Sequence, residues 1–154
     1  MLERDPGPSE TGNNPKLVEQ SMRDKHRQAI DVFGEFVTGF VRDLNDLSER
    51  GWGVLVEGQR DENALRRLGF LGNIALLSDF KREGVEAFGG LKKVVILTDL
   101  DREGSVLASR CLKELAHEGL TVSLAERRRL RRSSRGLFLH VENLVRFEGR
   151  ASLR

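Results

Sequence analysis

Carboxylates follow two short apolar segments of the sequence, and their positions suggest chemistry on phosphate groups. Glu57 comes directly after residues 54–56, and Asp99 and Asp101 come within four positions after residues 94–97. Close carboxylates repel one another and are costly to ionise together unless a cation lies among them. Oxygen donors without a neighbouring thiolate or histidine favour a hard ion such as Mg²⁺, which shares its coordination sphere with substrate phosphates.

An ion held by these carboxylates could neutralise a phosphodiester and orient its leaving oxygen. Glu57 would then act as a general acid or base if its surroundings raise its pKa. An aspartyl phosphatase is an alternative, with Asp99 as nucleophile and Asp101 as acid or base, but it leaves Glu57 without a role. The sequence argues against a calcium-binding EF-hand, because its twelfth position would need a glutamate where this chain has Arg110.

The segments that must position the carboxylates alternate between apolar runs and helical patterns. Strands are predicted at 54–56, 74–77, 94–97 and 121–124, and helices at 61–68, 79–88 and 102–117. This alternation is typical of an α/β fold with a parallel sheet and helices on both faces. In such a sheet the carboxyl ends of the strands meet at one edge, so we expect the three carboxylates to lie together there.

Four regions are predicted along the chain. Residues 1–24 are rich in proline and glycine and poor in apolar residues, which predicts a disordered tail. Residues 25–50 have the apolar spacing of a long amphipathic helix that packs on the domain. Residues 51–125 form the core, and residues 126–154 form a basic extension. Within that extension, we expect an edge strand at 136–139 and a helical turn at 142–147.

The composition favours a cytosolic protein without a membrane partner. The sequence contains no apolar run near the roughly 20 residues that cross a bilayer, and the first residues are acidic and polar, unlike a signal peptide. The single cysteine, Cys111, has no partner for a disulfide and is predicted to be a small core residue.

The basic extension predicts a nucleic-acid partner. The formal net charge is only +2, but residues 126–154 carry 9 Lys and Arg against 3 Asp and Glu. Six arginines are predicted to contact the nucleic-acid backbone: Arg127, Arg128, Arg129, Arg131, Arg132 and Arg135. Such contacts with successive phosphates make binding strongly salt-dependent. No aromatic residue interleaves with these arginines, which argues against base stacking. The alternative is a solvated arginine segment without a partner.

The two carboxylate motifs resemble those of the Toprim domain. This domain is shared by type IA and type II topoisomerases, bacterial-type primases, recombination-repair proteins and ribosomal-RNA maturation nucleases. Residues 54–58, an apolar strand ending in Glu-Gly, resemble the first motif of the family. Residues 98–104 resemble its Asp-x-Asp motif as found in type IA topoisomerases. The resemblance implies a Rossmann-like fold with a mainly parallel four-stranded sheet.

The resemblance also implies the roles of the site residues. It makes Glu57 the general acid or base and Asp99 and Asp101 the Mg²⁺ ligands, with Glu103 as a weaker metal candidate and Mn²⁺ as a substitute ion. The chain has no tyrosine, which excludes topoisomerase chemistry through a phosphotyrosine for this chain alone. His140 is predicted to be structural.

The resemblance favours two functions, and the aspartyl phosphatase stays a third and less favoured alternative. The chain resembles small stand-alone Toprim proteins and compact maturation nucleases, which implies Mg²⁺-dependent hydrolysis of RNA or DNA. The alternative is a non-catalytic binding subunit that works with a protein partner in a larger nucleic-acid-processing complex.

Overall fold

Parallel strands form the centre of the fold in the computed structural model, which describes residues 14–137 and 139–148. The strands are β1 (Trp52–Val56), β2 (Ile74–Leu76), β3 (Lys93–Ile96) and β4 (Thr121–Ser123). They pair in parallel in the order β2-β1-β3-β4. The predicted four-stranded α/β fold is therefore confirmed.

The chain changes direction across the sheet between β1 and β3. It passes from β1 to β2 on one side and then crosses to β3 on the other side. The two central strands pair with Leu55 opposite Ile96, and the Leu97 N–H donates to the Leu55 carbonyl at 2.8 Å. The carboxyl ends of β1 and β3 therefore flank the switch point, which is where open α/β sheets bind ligands.

Helices cover both faces of this sheet. The α-helices are α1 (Pro15–Glu49), α2 (Gln59–Arg67), α3 (Leu77–Glu83), α4 (Arg102–His117) and α5 (Ala125–Ser134). The predicted helix at 79–88 is divided, because Gly84 adopts a positive φ of 63° where α3 ends and the 3-10 helix Gly84–Phe88 begins. A second 3-10 helix spans Val141–Phe147. None of the described helices combines the length and apolar character that a membrane span requires.

Alternate strand residues face two separate hydrophobic clusters. Val54 and Val95 face the cluster formed with α1, α2, α5 and the C-terminal 3-10 helix. Leu55 and Ile96 face the cluster formed with α3 and α4. Because both faces are buried, the central strands β1 and β3 carry continuous apolar runs at 53–56 and 94–96 instead of alternating with polar residues.

Helix α1 begins earlier than the sequence predicted. Asn14 caps it by accepting a hydrogen bond from the Lys16 N–H at 3.0 Å, and Pro15 occupies the first helical position, where its missing N–H costs nothing. The predicted tail at 1–24 is therefore corrected, since residues 15–24 are helical. Residues 1–13 lie outside the described residues.

The C-terminal region packs differently from the prediction of a basic extension. Leu130, Val141, Leu144 and Phe147 are all buried in the cluster beneath α1. The predicted edge strand at 136–139 is wrong for the described residues there, which form a turn and bends; Phe138 lies outside them. Leu139 and Val141 instead form hydrogen bonds with the loop after β3. Residues 149–154 also lie outside the described part of the chain.

Candidate metal centre

Glu57 connects the ends of the two central strands. It follows β1 directly, and Gly58 is the N-cap residue of α2, with the Gly58 N–H donating to Asp61 Oδ2 at 3.1 Å. The Glu57 side chain turns toward β3, where its Oε1 accepts a hydrogen bond from the Asp99 N–H at 2.9 Å. The carboxylate of the first motif therefore contacts the backbone of the second, as the predicted convergence of strand ends requires.

The loop after β3 closes tightly onto the first turn of α4. Asp101 caps that helix by accepting from the Gly104 N–H at 2.7 Å, and the Thr98 hydroxyl donates to the Gly104 carbonyl at 2.6 Å. A Cβ at Gly104 would overlap the carbonyl oxygen of Asp99. Glycine is therefore needed at this position because the loop backbone occupies the space of a side chain.

Arg127 supports the same loop from α5. Its side chain is buried, and its guanidinium donates to the carbonyls of Thr98 and Asp99 at 3.2 and 2.5 Å and to the Ser105 hydroxyl at 3.0 Å. Burial lowers the pKa of Arg127, although an arginine remains charged at any physiological pH. The structure therefore corrects the prediction that this arginine contacts nucleic acid, because its donors are used within the fold.

The segment before the C-terminal 3-10 helix brings His140 to Asp99. The Val141 N–H donates to Asp99 Oδ1 at 2.8 Å, and His140 Nδ1 lies 3.2 Å from Asp99 Oδ2. The hydrogen bond with Asp99 raises the pKa of His140. The sequence alone predicted a structural role for this histidine. Its position after an apolar run was the one signal that could have placed it at the site edge.

Asp99, Asp101 and His140 form a group that fits a divalent cation. One ligand atom from each residue lies within 4.8 Å of the others, which makes this the candidate metal group among the described residues. Two carboxylates and one imidazole leave room for waters and phosphate oxygens on a six-coordinate ion. Glu103 is exposed in the first turn of α4 and does not belong to this group. Glu57 lies beside the group and bonds to its backbone.

The surroundings of Glu57 favour its protonated form. Burial raises the pKa of this carboxyl, and the negative charges of Asp99, Asp61 and Asp101 raise it further. The hydrogen bond from the Asp99 N–H opposes these effects because it stabilises the carboxylate. The environment of Glu57 therefore shifts its pKa in the direction that favours a role in proton transfer.

Four of the predicted nucleic-acid contacts share one exposed face of α5. Their spacing of i, i+3, i+4 and i+7 is that of residues on one side of a helix. The four exposed residues, the last of them at the C-terminal cap, are Arg128, Arg131, Arg132 and Arg135. We call these four residues the arginine stripe. Arg129 points elsewhere, with an ion pair to Asp43 at 2.8 Å and its guanidinium 5.2 Å from the centre of the Phe36 ring.

The fold and the carboxylate motifs define a Toprim domain. Residues 53–126 match the family model with that description, and this range contains both strand-end motifs. A solved structure of a protein from Aquifex aeolicus is similar, with a TM-score of 0.58 and 26% identity over 68% of this chain and 94% of that one.

Relatives of similar size place the chain in a smaller group of proteins within this family. A UPF0292 protein of Pyrococcus abyssi is 36% identical over 112 residues, covering 72% of this chain and 85% of the relative. Another from Methanosarcina barkeri is 34% identical over 125 residues, covering 78% and 85%. The chain therefore belongs to the Toprim family and groups with the UPF0292 proteins. Metal-dependent function on nucleic acids is the general property of that family.

Proposed function

We propose that this protein is a Mg²⁺-dependent hydrolase of phosphodiester bonds in RNA or DNA. The observation that carries the proposal is the position of Glu57. Its carboxyl has a raised pKa and is fixed by a 2.9 Å hydrogen bond to the backbone of Asp99, a residue of the metal-binding group. A proton-transfer group beside a metal site is the arrangement that phosphodiester hydrolysis needs.

Asp99 and Asp101 would hold the ion at the carboxyl edge of the sheet. When bound, Mg²⁺ or Mn²⁺ would neutralise charge on the phosphodiester and orient its reacting oxygens. Asp99 can bind an ion while keeping the hydrogen bond from the Val141 N–H, because each carboxylate oxygen has two lone pairs. Arg127 and Gly104 keep the loop backbone in place and thereby fix the direction of both carboxylates.

Glu57 would hold and transfer the proton. Its Oε1 is used by the Asp99 N–H, which leaves Oε2 as the atom that gives a proton to a leaving oxygen or takes one from water. The raised pKa favours the protonated acid over a wider pH range than an ordinary glutamate would allow. The fixed Oε1 prevents the side chain from rotating away from the metal-binding group.

The arginine stripe would bind the phosphates that flank the reacting one. Helix α5 begins just after β4, at the carboxyl edge of the sheet, and Arg127 in its first turns reaches the Asp99 loop. Arg128 follows Arg127 directly, so the stripe starts near the metal-binding group and continues along the helix. Because these arginines are exposed and contact backbone phosphates, binding would be strongly salt-dependent and largely independent of sequence.

A non-catalytic nucleic-acid-binding subunit is the second candidate. The observation that favours it is that both oxygens of Asp99 already have protein partners, in Val141 and His140. The stripe does not depend on the metal-binding group and could bind a polyanion without any reaction. Such a subunit would work with a protein partner that supplies the catalytic step.

Cleavage of labelled structured RNA, single-stranded DNA and nicked duplex DNA with Mg²⁺ or Mn²⁺ separates the two candidates. The hydrolase proposal expects metal-dependent cutting by the wild type that Glu57→Gln and Asp101→Asn abolish. Glu114→Gln is the matched control, since Glu114 is an exposed carboxylate later in α4. The hydrolase proposal would be overturned if the wild type cut no substrate with either ion. Salt-sensitive binding that Glu57→Gln leaves unchanged would then favour the binding subunit.

A further inference from the structure

We propose that His140 is a third protein ligand of the metal site and makes it favour Mn²⁺ over Mg²⁺. This inference rests on the metal site of the proposed function and extends it to the choice of ion. The starting observation is that a nitrogen donor lies among the two carboxylates, in a group where ligand atoms of Asp99, Asp101 and His140 are all within 4.8 Å.

The distance between His140 and Asp99 fits neighbouring ligands of one ion. His140 Nδ1 lies 3.2 Å from Asp99 Oδ2. Two ligands at right angles on an octahedral ion, each about 2.1 Å from it, are about 3 Å apart. The two side chains therefore need little rearrangement to bind the same cation. The histidine side chain is 49% exposed, so an ion and its waters can approach from solvent.

The backbone on either side of His140 is fixed to the loop after β3. The Leu100 N–H donates to the Leu139 carbonyl at 2.6 Å, and the Val141 N–H donates to Asp99 Oδ1 at 2.8 Å. His140 lies between these two attachments, so its place beside the carboxylates comes from the backbone. An exposed side chain free of such attachments would not be held at this point.

Orientation of Asp99 does not require the histidine. The Val141 N–H already fixes Oδ1, and the Asp99 backbone is held by Glu57 and Arg127. Positioning by His140 would therefore add little to the hydrogen bonds that already hold Asp99. Ligation, in contrast, gives the ring nitrogen of His140 a role that no other contact supplies. First-row transition ions accept imidazole nitrogen, while Mg²⁺ prefers oxygen donors, so a nitrogen ligand shifts the selectivity toward Mn²⁺.

Electron spin-echo envelope modulation of Mn²⁺ bound to the full chain tests the inference without any activity assay. Ligation by His140 expects modulation from a directly bound ¹⁴N nucleus in the wild type, and loss of that modulation in His140→Ala. His117→Ala is the matched control, because His117 is exposed at the far end of α4 and should leave the signal unchanged. Titration calorimetry should show a fall in the ratio of Mn²⁺ to Mg²⁺ affinity in His140→Ala, because the nitrogen donor is removed.

The outcomes distinguish this inference from the proposed function. Mn²⁺ binding that requires Asp99 and Asp101 but shows no ¹⁴N modulation would overturn the role of His140 and leave the metal site in place. ¹⁴N modulation that persists in His140→Ala would also overturn the role of His140 as a ligand. Failure of the wild type to bind Mn²⁺ or Mg²⁺ would overturn the metal site and, with it, the proposed hydrolase. The wild-type spectrum is decisive even if the alanine variant folds poorly.

Discussion

Arg127 and Arg128 are neighbours in the sequence, yet the first is buried and the second is exposed. The inner face of α5 directs Arg127 to the carbonyls of the loop that carries Asp99. The outer face directs Arg128 and the rest of the arginine stripe to solvent. A run of identical charges can therefore contain residues in two different environments, and the helical period separates them.

Arg127→Ala should have the largest effect on stability. The substitution leaves two loop carbonyls and the Ser105 hydroxyl without their charged donor, and we expect about 3 kcal/mol lower free energy of unfolding. Urea denaturation measures it, with Arg128→Ala as the matched control on the outer face. If Arg127→Ala and Arg128→Ala had the same free energy of unfolding, the difference between the inner and outer faces of α5 would be contradicted.

Gly104→Ala tests the same loop from α4 and should cost about 2 kcal/mol. The added Cβ would overlap the Asp99 carbonyl oxygen, so the loop or the helix must shift. The Mn²⁺ affinity should fall as well, because the shift moves Asp99 and Asp101. Gly39→Ala in α1 is the control; its nearest neighbour would be the Arg42 side chain at 3.6 Å, and alanine should stabilise that helix slightly. A Gly104→Ala variant that binds Mn²⁺ normally would contradict the tight packing of this loop.

Arg129→Ala should lower the free energy of unfolding by about 1 kcal/mol. Arg129 is intermediate in burial between the buried Arg127 and the exposed Arg128. Arg129 is half-buried, with an ion pair to Asp43 and contacts to the Phe36 and Phe40 rings. Thermal unfolding at low and high salt checks this, since screening should remove the ion-pair part of the difference. We expect no change in nucleic-acid affinity, and a large loss would place Arg129 with the stripe.

Alanine at all four positions of the arginine stripe should have the smallest effect on stability and a clear effect on binding. The exposed side chains pack little against the fold, so we expect the free energy of unfolding to change by less than about 1 kcal/mol. The slope of log affinity against log salt should fall by about 0.7 to 0.9 for each phosphate that the variant no longer neutralises. Fluorescence anisotropy with labelled RNA and DNA measures the slope. An unchanged slope would support the alternative of a solvated arginine segment.

The sheet and its carboxylate edge could be predicted because their signals are local. Strands β1, β2 and β3 contain short apolar runs; Glu57 follows the first directly, and Asp99 follows the third after Thr98. The direction of Arg127 was harder to predict, because adjacent arginines obscure the inner face that it shares with Leu130 and Ser134. The place of His140 depends on a segment of turn and bends, where no periodicity indicates the path of the chain. Apolar content alone suggested a strand there.

The attachment of residues 139–141 to the β3 loop also determines when the site can form. Glu57 and Asp99 are 42 positions apart in the chain, and His140 comes another 41 positions later. Contacts between such distant residues form only after the intervening loops have closed, which makes them slow folding steps. Proteins are synthesised from the N-terminus, so the sheet and helices α1 to α4 leave the ribosome before His140 does. The nascent chain can therefore build its core first, and the metal-binding group is completed at the end of folding.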